Sequence, residues 1–385
     1  MNAVPPNPLE ELDAHLDAET ARLEEERVLG RRHEREGDLD MNDEPEAAVL
    51  TPFPNLKDAL DFLATGVKSE WEAADSAALH HQKWHRRVAR TSILFGTAAV
   101  VFAVIQLALK HCWATGVPHA AVLEGVAVAA ASLAVLGGVW AKFDRNWLGQ
   151  RHRAERLRML KFVALGSRSL WSGDLPEWKR WVNQELLKLK DAGAFRLVKK
   201  WSEEEPLPRQ GGVPPGTGGD FQHALAVYYR HKRLNFQADY FSVRHRRLGR
   251  QVGRSRWWNL RLFLVSVLAV VAHFFADRQA RQLLETSQES AAAFWEVLAV
   301  VCLAAAAILP VLSFGIRAWY AAFEEARSAI LYGAKERALA RMSDQLGADI
   351  GAVPAACRHI EEGERFLEGE HREWLRLLLE AEWFL

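Results

Sequence analysis

Four long uncharged apolar runs constrain this chain more than any other feature of its sequence. They occupy residues 91–109, 125–141, 262–276 and 297–316, with lengths of 19, 17, 15 and 20 residues. A helix needs about 20 apolar residues to cross the hydrocarbon core of a bilayer. We therefore predict an all-α membrane protein with two transmembrane helical hairpins and long cytoplasmic helices. The third run is short, and a buried helix of a soluble domain is its competing interpretation.

The flanking charges indicate how the hairpins are oriented. Seven Lys or Arg residues lie in 142–161, and seven arginines without an acid lie in 244–261. The two connections within the hairpins, 110–119 and 277–290, hold one lysine and two arginines. Cationic flanks stay on the cytoplasmic side, so we expect both hairpins to enter and leave the membrane on that side and both termini to lie in the cytoplasm. The first residues lack the basic and apolar regions of a secretory signal peptide.

The rest of the chain has helical periodicity and no alternating strand pattern. Residues 1–50 form an acidic amphipathic segment with fifteen Asp or Glu and five Arg. We expect it to be a docking or coiled-coil helix, with an autoinhibitory cap over the basic flanks as the alternative. A Pro/Gly linker at 205–219 separates two hairpin repeats at 51–204 and 220–385.

An internal repeat supports this division. Shifting the chain by 172 residues aligns 119–147 with 291–319 without a gap. The shift places four residues of the first half on four of the second, namely Glu124 on Glu296, Gly138 on Pro310, Arg145 on Arg317 and Trp147 on Trp319.

The repeated positions are candidate functional residues. Glu124 and Glu296 should lie near the outer ends of the second and fourth spans, about one turn inside the helix start. They either reach interfacial water or form acidic rings at the mouth of a cation pathway. Gly138 and Pro310 are candidate flex points.

The same pattern suggests interface anchors and packing contacts. Arg145, Trp147, Arg317 and Trp319 would anchor the cytoplasmic ends of the spans. Two small-residue series, Gly125 with Ala129 and Ala130 with Ala134 and Gly138, favour packing within a hairpin or between copies.

A run of arginines precedes the third span, and it comprises Arg244, Arg246, Arg247, Arg250, Arg254 and Arg256. It indicates a topology determinant that contacts anionic lipid, and a polyanionic messenger is the alternative ligand. His273 lies within the third span and should hydrogen-bond a neighbouring helix.

Signals of an enzyme are absent from the sequence. The glycines of "GGVPPGTGG" lack the Gly-Lys-Ser/Thr of a P-loop, and no GxSxG or HExxH motif occurs. His80, His81 and His85 indicate a titrating basic face rather than a metal site. We expect no enzyme activity, no cofactor, no metal and no nucleic-acid partner.

Several motifs together resemble a known family. "YYRHKRLNFQADYFSVRHRRLGR" precedes the second hairpin, "RNWLGQRHRAERLRMLKF" follows the first, and "RAWYAAFEEARSAILYGAKE" follows the second. The Glu-Trp pair of "EWKR" recurs in "EWLR". In this arrangement the chain resembles two tandem SLATT domains, which are two-span membrane modules of bacterial nucleotide-sensing conflict systems.

The resemblance implies an effector of antiviral defence in the bacterial inner membrane. Such a protein would oligomerise and permeabilise the membrane when a separate nucleotide-sensing or nucleotide-synthesising partner triggers it. Two alternatives remain from the sequence: a non-conducting membrane receptor or scaffold that recruits a soluble effector, and a small cation channel or transporter.

Overall fold

The computed structural model describes residues 7–28, 48–112, 118–172, 174–191, 219–322 and 325–380. These residues are almost entirely helical and contain no strand. The predicted all-α fold class is therefore confirmed. The predicted linker at 205–219 lies outside the described residues except for its last position.

The first half of the chain begins with the acidic helix α1, Pro8–Val28. A continuous helix follows, made of α2, a π-helical segment and α3, with bounds Pro54–Leu63, Ala64–Lys68 and Ser69–Cys112. The other helices described in this half are α4 (Pro118–Ala141), α5 (Phe143–Leu165), α6 (Arg168–Trp171) and α7 (Leu175–Asp191).

The second half has a closely similar order. Its continuous helix consists of α8, a second π-helical segment and α9, with bounds Asp220–Tyr229, Arg230–Asn235 and Phe236–Glu285. It continues with α10 (Glu289–Ala322), α11 (Glu325–Ala348) and α12 (Val353–Glu380).

Within the described residues, four helices are long and apolar enough to cross a membrane, and they contain the four predicted runs. The third run lies in α9, where Phe263, Leu268 and Phe274 are 60, 66 and 66% exposed. A buried helix of a soluble domain would cover such side chains, whereas lipid accommodates them. The chain is thus a multi-pass membrane protein, and the soluble interpretation of the third run is rejected.

The described residues fall into two compact units. The first, called the head unit, takes those of Met1–Gln82, Asp144–Arg246 and Ile330–Glu382. The second, called the span unit, takes those of Lys83–Phe143 and Arg247–Ala329. Each unit contains helices from both halves, so the two compact units do not coincide with the two sequence repeats.

The core of the head unit is built around α5. This helix is buried on nearly all sides between Leu148 and Leu165. Trp178 of α7 is fully buried, and its indole Nε1 donates to the Ala164 carbonyl at 2.8 Å. Leu12 and Leu16 of α1 are also buried there, which ties the acidic helix to the core.

Candidate functional site

Three hydrogen bonds join α9 to α10 in the second hairpin, at intervals of seven residues on each helix. They run from Ser313 Oγ to Asn259 Oδ1 at 3.0 Å, from Ser266 Oγ to the Ala306 carbonyl at 3.1 Å, and from His273 Nδ1 to the Ala299 carbonyl at 2.9 Å. A seven-residue interval keeps the bonds on one seam of an antiparallel pair. The predicted role of His273 is confirmed.

The second hairpin closes with a short turn. Gln288 N–H donates to the Leu283 carbonyl and Ser287 N–H donates to the Leu284 carbonyl, which is the Schellman pattern of a helix end. Ser287 takes the left-handed conformation with a φ of 58°. This turn reverses the chain and sets the register of the seam.

Gly138 allows α4 to approach α3 closely in the first hairpin. A Cβ atom at this position would lie 2.7 Å from Val88 Cγ1, which is closer than packed carbon atoms approach. Ala130 and Ala134 lie on the same stripe and are half-buried. Gly125 and Ala129 are exposed instead, and nothing packs where a Cβ of Gly125 would lie. The two small-residue series therefore occupy different surroundings.

The two candidate flex points lie within unbroken helices. Gly138 is inside α4, and Pro310 is inside α10. The chain instead bends at Lys142, between α4 and α5, where φ is 49°. Flexing at Gly138 or Pro310 stays a prediction.

Glu124 is half-buried and Glu296 is exposed. Both lie about two turns inside their helices, which start at Pro118 and Glu289, so they are deeper than the predicted single turn. Within the described residues, neither carboxylate has a hydrogen-bond or ion-pair partner.

Each of these acids lies between two buried alanines on one stripe of its helix. The alanines are Ala120 and Ala127 in α4, and Ala292 and Ala299 in α10. Positions separated by four and then three residues share a helical face. Each acid therefore lies on the stripe of buried alanines of its helix, at the matching position in both halves.

The matched tryptophans differ in their surroundings. Trp319 receives the Arg90 guanidinium over its ring at 4.8 Å within the span unit. Trp147 lies in the head unit, where its ring meets Trp374 edge-on at 6.4 Å. The bend at Lys142 comes before Trp147, whereas α10 continues through Trp319. Trp147 and Trp319 match in sequence but not in structure, because α4 ends before Trp147 whereas α10 continues through Trp319.

Arg145 and Arg317, the other two predicted anchors, are both exposed. Arg145 follows the bend and lies in α5, while Arg317 lies in α10. Other aromatic residues lie at the ends of the spans. Trp257 and Trp258 are exposed, and Arg261 stacks over Trp257.

The six predicted arginines all lie on α9 but do not share one face. Four of them, namely Arg246, Arg247, Arg250 and Arg254, are exposed and lie within one side of the helix. Arg244 is half-buried, with its guanidinium 5.6 Å from the centre of the Tyr240 ring. Arg256 is exposed and points to a different side.

Buried ion pairs in the head unit were not predicted from the sequence. Arg233 donates from Nε and Nη2 to the two carboxylate oxygens of Glu364 at 2.8 and 3.0 Å, and Tyr229 adds its hydroxyl at 2.9 Å. Both charged side chains are only 3% exposed. Arg156 pairs with Glu368 at 3.2 Å. These contacts connect residues more than 130 positions apart, so no local pattern signals them.

A pair of histidines joins α5 to α12. Nδ1 of His152 lies 2.9 Å from Nε2 of His371, and the rings stack with an angle of 5° between their planes. One proton therefore lies between the two nitrogens. Burial, followed by the nearby His152, holds the pKa of His371 well below its usual value.

The acids of α1 pair with a basic turn of the second π segment. Glu19 accepts from Lys232 Nζ through both oxygens, at 2.8 and 2.7 Å, and Asp13 accepts from Arg230 at 2.8 Å. His231 Nε2 also donates to Asp13 at 2.7 Å, while burial lowers the pKa of His231. Within the described part of the acidic segment, α1 thus contacts the rest of the head unit through these ion pairs. Its role as a docking helix or as an autoinhibitory cap stays a prediction, and residues 29–47 lie outside the described residues.

No group of three or more His, Cys, Asp or Glu suited to a metal ion occurs in the described residues. Of the predicted basic face, His85 is buried. Burial, followed by the nearby His80, lowers the pKa of His81.

Comparison of the chain with protein-family models, with curated proteins and with solved structures finds no match. The resemblance to SLATT domains stays a prediction.

Proposed function

We propose that the protein oligomerises in the membrane and permeabilises it through a path that passes Glu124 and Glu296. The supporting observation is the matched position of these acids beside the buried alanines of each hairpin. An unpaired carboxylate at the edge of an apolar span is costly unless it meets water or a cation. A water-filled path between copies meets this requirement in both halves.

The proposal requires oligomerisation, because four spans are too few to enclose an aqueous channel within one copy. The exposed small residues Gly125 and Ala129 of α4 suit close packing against another copy, because there is open space beside Gly125. A neighbouring helix fits against such a surface without losing side-chain entropy.

The biological setting in this proposal comes from the family resemblance alone. It assigns the protein to antiviral defence in the bacterial inner membrane, with a separate nucleotide-sensing or nucleotide-synthesising protein as the trigger.

The test is inducible expression in bacteria with a dye that reports membrane potential. Wild-type protein should collapse the potential and stop growth. The variant Glu124→Gln with Glu296→Gln should lose most of this effect at equal membrane abundance. Its control, Glu285→Gln with Glu289→Gln, removes the same charge from exposed acids at the turn of the second hairpin and should behave like wild type.

Counting protomers in a detergent-solubilised sample completes the test. A monomer contradicts the proposal, and so does a control variant that loses as much activity as the test variant. A membrane potential that stays intact while partner proteins bind the head unit supports the alternative function of a non-conducting receptor or scaffold. Saturable transport of one cation, without loss of the general barrier, supports the channel or transporter.

A further inference from the structure

A groove of about 560 Å³ opens between α9 and α10, past the hydrogen bond that joins Asn259 to Ser313. Its lining combines cationic, polar and apolar side chains. The groups that matter here are those of Arg256, Asn259, Leu260, Phe263, Arg317 and Tyr320.

The groove lies at the end of the apolar runs. The third run begins at residue 262 and the fourth ends at residue 316. Arg256 and Arg317 therefore lie just outside the apolar length, and Phe263 lies just inside it. The exposed pair Trp257 and Trp258 occupies the same level, as aromatic residues do at a membrane interface.

The polar end of the groove is suited to a phosphate group. Arg256 and Arg317 have no carboxylate partner among the described residues, so both guanidinium groups remain available to an external anion. A guanidinium group matches phosphate oxygens with two parallel hydrogen bonds. Asn259 accepts the Ser313 hydroxyl through Oδ1, which leaves its amide nitrogen to donate.

We propose that this groove binds one anionic glycerophospholipid. The phosphate lies between Arg256 and Arg317, and an acyl chain follows Leu260 and Phe263 into the apolar region. Basic pockets between spans commonly hold anionic head groups in this way. The exposed arginines Arg246, Arg247, Arg250 and Arg254 differ, because they do not line this groove. The proposal is independent of membrane permeabilisation.

The test uses the full-length protein in a neutral detergent and native mass spectrometry with added phosphatidylglycerol. Wild-type protein should retain one lipid, in preference to phosphatidylcholine. Arg256→Gln with Arg317→Gln should weaken retention by at least about tenfold, because charged hydrogen bonds are lost. The control, Arg254→Gln with Arg261→Gln, removes equal charge from the same flank outside the groove and should stay within about twofold of wild type.

A conservative pair of substitutions distinguishes weaker lipid binding from a folding defect. Arg256→Lys with Arg317→Lys keeps the charge but loses the paired hydrogen bonds, and should bind more weakly than wild type. If the Gln pair does not fold, this Lys pair decides, and retention equal to wild type overturns the proposal. Equal weakening by the control pair also overturns it, since attraction by general surface charge would then explain binding. Displacement of the lipid by inorganic phosphate at equal concentration indicates a soluble anion as ligand and rejects the lipid.

Discussion

Ser266 on α9 compensates for Pro310 on α10. Proline has no amide hydrogen, so the Ala306 carbonyl, four residues earlier, lacks its usual helical donor. Ser266 Oγ donates to that carbonyl at 3.1 Å. In an apolar surrounding an unpaired carbonyl is costly, and a serine from a neighbouring helix removes the cost. This contact explains why α10 stays continuous through Pro310.

A double-mutant cycle tests this compensation. Ser266→Ala should destabilise the protein by about 0.6 kcal/mol and by at most about 1.7 kcal/mol, the average and the maximum found for hydrogen bonds between membrane helices. The cost should be smaller in a Pro310→Ala background, because the alanine brings an amide hydrogen that donates to the Ala306 carbonyl. Unfolding of the four variants in mixed micelles measures the difference. An equal cost in both backgrounds contradicts the relationship.

Adjacent glycines in α4 test the packing of the first hairpin. Gly138→Ala should destabilise the protein by about 1–3 kcal/mol relative to Gly137→Ala, because the new methyl group meets Val88. A Cβ at Gly137 meets nothing within 4 Å. The two changes share the same gain in helix propensity, so their difference isolates the contact. Thermal unfolding in detergent is the measurement, and equal midpoints would show that α3 and α4 do not pack closely there.

Two acids on α12 test the value of burial for an ion pair. Glu364→Ala should lower the free energy of unfolding by about 3–5 kcal/mol, because it leaves the buried Arg233 without its carboxylate. Glu361→Ala should cost at most about 1 kcal/mol, since Arg365 is largely exposed in that pair. Denaturant unfolding, followed through the head unit, compares the two variants. Similar costs would mean that Arg233 and Glu364 are not buried together.

The histidine pair should make the head unit sensitive to acid. The pKa of His371 is lowered in the folded state, so below about pH 6.5 the unfolded chain binds a proton that the folded chain does not. Stability should therefore fall as the pH drops through this region. Charged neighbours that act on His371 are His152, Glu155, Arg151 and Arg156.

Hydrogen exchange of α12 at a series of pH values checks this dependence. His371→Gln should flatten the acid dependence, while His119→Gln, at an exposed position of α4, should leave it unchanged. The lowered pKa values of His231 and His81 leave a smaller dependence in the His371 variant. A profile identical to wild type for His371→Gln would contradict the assignment.

Much of the span unit could be predicted from the sequence. The lengths of the four apolar runs predict the four spanning helices, and the polar side chain of His273 within an apolar run predicts its hydrogen bond. The offset of 172 residues also identifies the two acids. The seam between α9 and α10 was missed, although Asn259, Ser266 and His273 recur every seven residues. That spacing was the available signal.

The head unit could not be predicted in the same way. Arg156 and Arg233 look like cationic flanks, because a single sequence does not reveal partners far along the chain. The structure places each beside a glutamate of α12. Charge count near a span predicts orientation, but it does not distinguish a solvated arginine from a buried one.

The sequence by itself determined that the chain is helical and multi-pass, because apolar length and helical periodicity are local properties. Only the tertiary structure decided whether two residues that match in sequence also have the same surroundings. Trp147 and Trp319 diverge because one bend, at Lys142, precedes the first and none precedes the second. The tertiary structure also decided which charges are buried, since desolvation depends on what packs around a side chain, and pairs more than 130 residues apart supply the compensating charge.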